Sequence, residues 1–205
     1  MLRLEIKYKH MIHANGYRLE VITGCMFSGK TEELIRRLER VRIAKIPFLL
    51  FKSTVDTRSG TGKTMTHYGR EFSAHELATG KETLGELVST VGQEALDNAQ
   101  VIAFDEGNFF SNNLVDLCQQ LVKTGKRVIV AGTDLTFDEK PFGPMGLLIT
   151  LADQVDKLHA VCVKCGAEAT RSQRIKDGKP VLRGDEILVG GEDDYEARCR
   201  KCYVT

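Results

Sequence analysis

Three groups of residues in this sequence have the types and spacing to do chemistry. The first is the run Gly24, Cys25, Met26, Phe27, Ser28, Gly29, Lys30 and Thr31, which fits G-x-x-x-x-G-K-[ST]. Glycines let successive backbone N–H groups turn inward around a phosphate, and a helix N-terminus behind them adds a favourable dipole. Lys30 would reach the outer phosphates, and the Thr31 hydroxyl can ligate magnesium. A chance glycine turn is the plain alternative. The apolar "LEVI" in front and the helical "EELIRRLERVRIA" behind argue against it. The motif implies a bound nucleotide without naming a reaction, because switches, ATPases, helicases and small-molecule kinases all use it.

The second group is Asp105 and Glu106, two carboxylates that close the apolar run "VIAF". Asp105 stands where a strand-end aspartate would hold the magnesium, directly or through water. Glu106 suits a general base, acting on water in a hydrolase or on a substrate hydroxyl in a kinase. A solvated, idle pair of strand-end acids is the bland reading. A guanine-reading N-K-x-D after a later strand is missing, since "GTDL" does not fit it.

The third group is "CVKC" at Cys162 and Cys165 with "CRKC" at Cys199 and Cys202. Two such pairs supply four thiolates, the donor set of a closed tetrahedral zinc site. A redox dithiol and an iron–sulfur cluster are the alternatives. A closed site has no open position for chemistry, so its work is to pin the loop between the pairs. Cys118 falls on the apolar face of a helix and reads as core. Cys25 reads as a small loop residue, with oxidation sensitivity as the sharper alternative.

The elements that must position these groups alternate. An N-terminal arm, residues 1–16, carries little pattern. A buried strand begins at Tyr17, and a helix over Thr31–Ala44 turns 34, 35, 38, 41 and 44 to one face. "FLLF" is a second buried strand. Residues 53–70 read as one long loop without periodicity, the kind that is often functional. A short strand near Glu71–Ala74, a helix from about Leu84 to Asn98, "VIAFDEG", a helix capped by Ser111 and running to about Thr124, and the strand "RVIVAGTDL" follow. Strands alternating with helices imply an α/β fold of the P-loop type, a parallel sheet flanked by helices over residues 17–157. From 158 to 205 the character changes to a small zinc-binding module rich in glycine.

Composition narrows the class. The 205 residues carry a formal net charge of +1, which gives no support for non-specific nucleic-acid binding. No apolar run approaches the roughly 20 residues of a membrane span, and the N-terminus is too charged for a signal peptide. The expectation is a cytoplasmic protein with no membrane or nucleic-acid partner.

"GCMFSGKT", "DEGNFF", "KPFG" and "DDYEARCRKC" together resemble the thymidine kinases of the zinc-containing, cytosolic and bacterial type, from about Tyr17 to Tyr203. That resemblance implies transfer of the γ-phosphoryl of ATP to the 5′-hydroxyl of thymidine, with deoxyuridine as a further acceptor, in nucleotide salvage for DNA synthesis. It gives Glu106 the role of base and makes Lys30 and Arg58, in "DTR", partners of the phosphates, with magnesium on Thr31 and Asp105. It places Met26, Phe109, Phe137, Phe142 and Tyr195 around the nucleoside, with Thr133 and Ser172 facing the base methyl. It makes 187–194, including Leu188, Val189, Gly190 and Gly191, a lasso that reads the base through backbone groups. The zinc then anchors that lasso. Without the resemblance, most of the nine phenylalanines would read as core. His67 is read as loop architecture, and His159 as structural rather than a ligand. Cys25 stands in place of a proline usual in the loop, and Asn108 in place of a glutamine. Homotetramer formation and feedback inhibition by dTTP follow from the resemblance alone. The rival reading is a zinc-ribbon P-loop ATPase acting on a nucleic-acid or protein partner.

Overall fold

The structure, a computed structural model, describes residues 18–55, 63–65, 71–184, 190–191 and 193–205. Its centre is a six-stranded sheet in which every pairing is parallel. The strands are β1 (Arg18–Gly24), β2 (Phe48–Ser53), β5 (His75–Leu77), β6 (Val101–Asp105), β7 (Arg127–Thr133) and β8 (Gln154–Leu158), in the order β5-β2-β6-β7-β1-β8. Between β2 and β5 lies a hairpin of β3 (Lys63–Met65) and β4 (Glu71–Ser73).

A parallel sheet is covered on both faces, so its strands are apolar at odd and even positions alike. Leu19, Val21, Ile102, Phe104, Val128 and Val130 pack on one side against α2 (Leu84–Val91), α3 (Gln93–Asn98), α4 (Asn113–Lys123) and α5 (Met145–Leu151). Their alternates Ile22, Val101, Ala103, Ile129 and Ala131 pack on the other side against Leu34, Leu38 and Val41 of α1 (Lys30–Ile43). Parallel pairing also carries the C-terminal ends of all six strands to one edge. Gly24, Asp105 and Thr133 therefore end up together although they are far apart in sequence.

Several local expectations are corrected. The helix expected from Leu84 to Asn98 is two helices, because Gly92 takes φ 84° between them, a conformation that ends a right-handed helix. Residues 53–70 contain β3. The N-cap residue of α4 is Asn112, one position beyond Ser111, but the Ser111 hydroxyl still accepts from the Asn113 N–H at 3.2 Å, while its own O–H and N–H bond the Glu82 carboxylate at 2.7 and 2.8 Å.

Beyond the main sheet, β9 (Ala160–Val161) pairs with β10 (Glu168–Ala169), and β11 (Arg171–Lys176) lies between β12 (Lys179–Pro180) and β13 (Tyr195–Arg198). Their small apolar cluster is built from Cys25, Ala160, Cys162, Ala169, Ala197 and Cys199. Here cysteines and alanines stand where the main core has leucine and phenylalanine.

Candidate active site

The phosphate loop leaves β1 at Gly24, with φ 139°. A Cβ there would stand 2.2 Å from the Leu158 carbonyl oxygen, so only glycine fits. Phe27 and Gly29 also take positive φ, 65° and 81°, the kind of turns that let successive backbone N–H groups converge on an anion. Gly29 is the N-cap residue of α1, so the helix begins at Lys30. Lys30 Nζ donates to the Cys25 carbonyl at 2.8 Å across the loop. Burial pulls the Lys30 pKa below the ordinary lysine value, against the opposing pull of Glu106, Cys25, Asp134 and Asp105. Ser28 Oγ is buried with no hydrogen-bond partner among the described residues, an orphan acceptor and donor inside the loop that a phosphate oxygen would satisfy.

Thr31 Oγ1 lies 3.4 Å from Asp105 Oδ1. Neighbouring oxygens of an octahedral magnesium site, each about 2.1 Å from the ion, stand about 3 Å apart, so the pair fits the cation. Glu106 follows in the left-handed region, φ 50°, ψ 47°, with its N–H bonded to Asp105 Oδ1 at 3.0 Å. That reversal turns the Glu106 side chain away from the direction of Asp105. The next residue, Gly107, has no room for a side chain: a Cβ would meet Val130 Cγ1 at 2.6 Å.

Glu106 is on the wall of a pocket of about 430 Å³, counting its open mouth, a size suited to a small molecule. The other lining residues come from four places. Met26 is from the phosphate loop. Asn108 and Phe109 are from the 3₁₀ turn after β6. Thr133, Leu135, Phe137 and Phe142 are from the end of β7 and the loop beyond it. Ser172, Gly190 and Tyr195 are from the small region. Phe109 and Phe142 meet edge to face, ring centres 5.8 Å apart. Asn108 Oδ1 accepts from the Thr133 N–H at 2.9 Å, so the shorter amide ties the turn to the strand end. The Leu135–Pro141 bridge and the Phe142 N–H bond to Asp134 O, 2.9 Å, shape the loop that presents Phe137 and Phe142.

The pocket therefore gathers Met26, Phe109, Thr133, Phe137, Phe142, Ser172, Gly190 and Tyr195, all expected around a nucleoside. Gly191 is adjacent without lining it, and its carbonyl accepts from the N–H groups of Asp194 and Tyr195. Arg58, Leu188, Val189 and His67 lie outside the described residues, as does the N-terminal arm. Ser172 uses its hydroxyl to accept from the Met26 N–H, 3.0 Å. Leu135 and Arg174 were not singled out by sequence. Arg174 stacks over the Phe137 ring at 4.0 Å and donates to the Tyr195 hydroxyl at 2.9 and 3.2 Å, bracing two walls at once. Tyr203 adds a hydrogen bond to the Phe137 carbonyl from the C-terminal end. No local pattern marks these braces; they exist only once β11 and β13 are paired.

The sulfurs of Cys162, Cys165, Cys199 and Cys202 all lie within 4.8 Å of one another, and those of Cys165 and Cys199 are 3.6 Å apart. A tetrahedral zinc with bonds of about 2.3 Å sets its sulfurs about 3.8 Å apart, so the cluster can hold that metal. Burial raises the Cys162 pKa, but backbone N–H groups of Cys199, Lys164 and Cys165 outweigh it and bring it to about 6. Cys202 is pushed up to about 12, first by its contact with Cys165 and then by Cys199. Four adjacent thiolates need a cation between them. His159 instead faces Glu168, 3.1 Å away, and takes no place in the cluster. Burial also raises the Cys25 pKa, keeping it a neutral thiol whose Sγ donates to the Ala169 carbonyl.

A sequence model of the family described as "Thymidine kinase" matches residues 17–203. The chain is 48% identical over 194 residues to "Thymidine kinase" of Chloroflexus aurantiacus, covering 93% of this chain and 96% of that one. It is 45% identical over 196 residues to "Thymidine kinase" of Halobacterium salinarum, covering 95% and 97%. It is 41% identical over 216 residues to "Thymidine kinase" of Haloquadratum walsbyi, covering 93% and 96%.

Proposed function

The chain belongs to the thymidine kinase family, and from that membership we infer that it transfers the γ-phosphoryl of ATP to the 5′-hydroxyl of thymidine, giving dTMP and ADP. The observation that carries the reading is the position of Glu106. It joins the wall of an aromatic-lined pocket to the strand end that faces the phosphate loop. A nucleoside whose base lies among Phe109, Phe137, Phe142 and Tyr195 brings its 5′ end toward Glu106 and the loop.

In this reading Glu106 accepts the 5′-hydroxyl proton as the oxygen attacks phosphorus. Lys30 and the loop N–H groups hold the transferring group and offset its developing charge, with Arg58 as a further cation. Thr31 and Asp105 hold magnesium, which supplies additional charge neutralisation when bound with ATP. Little covalent chemistry is asked of the protein, so positioning and electrostatics carry the rate. Thr133 and Ser172 border the base, and Leu188 to Gly191 close over it. The four cysteines hold zinc, which anchors both ends of that segment. Assembly as a homotetramer, inhibition by dTTP and a cytoplasmic setting belong to the same proposal. Among the described residues, no helix is long and apolar enough to cross a membrane.

The test is ADP release from Mg-ATP, alone and with thymidine, deoxyuridine, deoxycytidine or deoxyguanosine. Strong stimulation by thymidine with dTMP formed is the expected result. ADP release indifferent to every nucleoside would instead indicate an ATPase.

A further inference from the structure

At the edge of the sheet opposite the strand ends that carry the phosphate loop, a second concavity is lined by Arg18, Glu20, Arg36, Arg37, Arg40, Arg127 and Gln154. It encloses about 700 Å³ including its mouth. The strand register explains it. Arg18 pairs with Arg127 and Glu20 with Gln154, so the starts of β7, β1 and β8 meet, and the far end of α1 closes over them. Arg40 is ten residues beyond Lys30, about 15 Å along the helix.

The carboxylates here are already used. Glu20, 1% exposed, accepts from Arg18 Nε, Arg37 Nη1, and Arg127 Nε and Nη2, at 2.6 to 2.9 Å. Those four bonds fill its oxygens. Arg37 gives its remaining edges to Glu33 and Asp156. Arg36 is held by Glu33. Five guanidiniums thus stand among Glu20, Glu33 and Asp156, with a fourth carboxylate, Asp153, accepting from the Leu19 N–H beside Arg18 at 2.8 Å, so the described residues keep a positive excess of one. Among the described residues, Nη1 and Nη2 of Arg18, Nη1 of Arg127 and the whole Arg40 guanidinium have no hydrogen-bond partner.

We propose that this pocket binds the phosphoryl groups of a small oligophosphate, at a site separate from the phosphate loop. Planar guanidinium edges match phosphate oxygens in pairs, and the open edges of Arg18, Arg127 and Arg40 are the donors that would take them. Among the described residues the lining is guanidinium, carboxylate and amide with no aromatic ring, a surface for phosphates rather than for a base. It touches the first residue of β1 and the last turns of α1, the two elements that hold the phosphate loop at their other ends.

The experiment is calorimetric titration of inorganic tripolyphosphate, at constant ionic strength, into the wild type, Lys30→Ala, Arg18→Ser/Arg40→Glu and the triple variant. Lys30→Ala disables the phosphate loop and leaves the arginine pocket. The expected result is one saturable site in Lys30→Ala that weakens at least tenfold in the triple variant. Arg18→Ser/Arg40→Glu, tested without tripolyphosphate, keeps wild-type kinase activity. If the triple variant does not fold, Lys30→Ala/Arg40→Glu replaces it, since among the described residues Arg40 makes no side-chain hydrogen bond to lose; a threefold or greater weakening is then expected. Absence of binding in Lys30→Ala, or binding unchanged by the arginine substitutions, overturns the proposal. Neither outcome bears on thymidine phosphorylation, which the nucleoside assay reads separately.

Discussion

The two regions that meet at the pocket are held together by different physics. The sheet region buries leucine, isoleucine, valine and phenylalanine on both faces, and its rear wall of the pocket follows from that packing. The small region buries mainly alanines and cysteines, too little apolar surface to order its two short sheets. Its shape rests on four convergent sulfurs and on bonds across to the other region: Met26 to Ser172, Cys25 to Ala169, Tyr203 to Phe137. The groups proposed for phosphoryl transfer sit on the region whose sheet buries apolar residues on both faces. One side of the pocket wall, Ser172, Gly190 and Tyr195, sits on the region whose order is conditional. Rate and nucleoside affinity should therefore respond to different perturbations.

The largest effect expected is on rate alone. Glu106→Gln should lower kcat by about 10²–10⁴-fold, with thymidine KM and the melting temperature little changed, in steady-state assays and thermal scans. A comparable loss of stability would mean that Glu106 serves the fold. Gly24→Ala should strike the sheet region itself. The added methyl meets the Leu158 carbonyl at a φ that alanine resists, so a destabilisation of about 2–3 kcal/mol is expected in urea unfolding.

Removing metal with a chelator, or Cys162→Ser, should raise thymidine KM roughly tenfold or more while most of the far-UV circular dichroism survives. Loss of the whole spectrum would show that the sheet region depends on the metal too. Ser172→Ala leaves the Met26 N–H without its acceptor. It should cost about 1 kcal/mol and raise thymidine KM a few-fold, with ATP KM nearly constant.

The smallest effect is a proton count. The Lys30 pKa is lowered by burial in the free protein, and phosphate anions beside it raise that pKa again. At a pH near the lowered value, nucleotide binding should take up a fraction of a proton. Calorimetry in buffers of different ionisation enthalpy would detect it, and Lys30→Met should abolish it.

The parts legible in the sequence were those whose geometry is local. The phosphate loop and the two cysteine pairs need only residue types at fixed short spacing, and the alternation of strands and helices is a matter of period. Helix α5 was missed because the seven residues "MGLLITL" are too short and too uniformly apolar to distinguish a helix from a buried strand. Strand β8, "QVDKL", alternates weakly because it is a sheet edge, and it was not assigned. The break at Gly92 depends on a φ that a helical pattern does not disclose. The resemblance to a family supplied the pocket residues, but not what they bond. That Ser172 holds Met26, or that Arg174 braces Phe137 and Tyr195, depends on pairings made across the chain.

The Met26–Ser172 and Cys25–Ala169 bonds have a thermodynamic consequence. Both donors belong to the loop shaped for phosphate, and both acceptors belong to the region that lines the pocket through Ser172, Gly190 and Tyr195. A ligand that fixes the loop therefore also restrains the strands behind Ser172, and a ligand that fixes those strands restrains the loop. The ordering entropy spent on the first arrival is partly spared the second. Linkage makes this reciprocal: the factor by which ATP tightens thymidine is the factor by which thymidine tightens ATP.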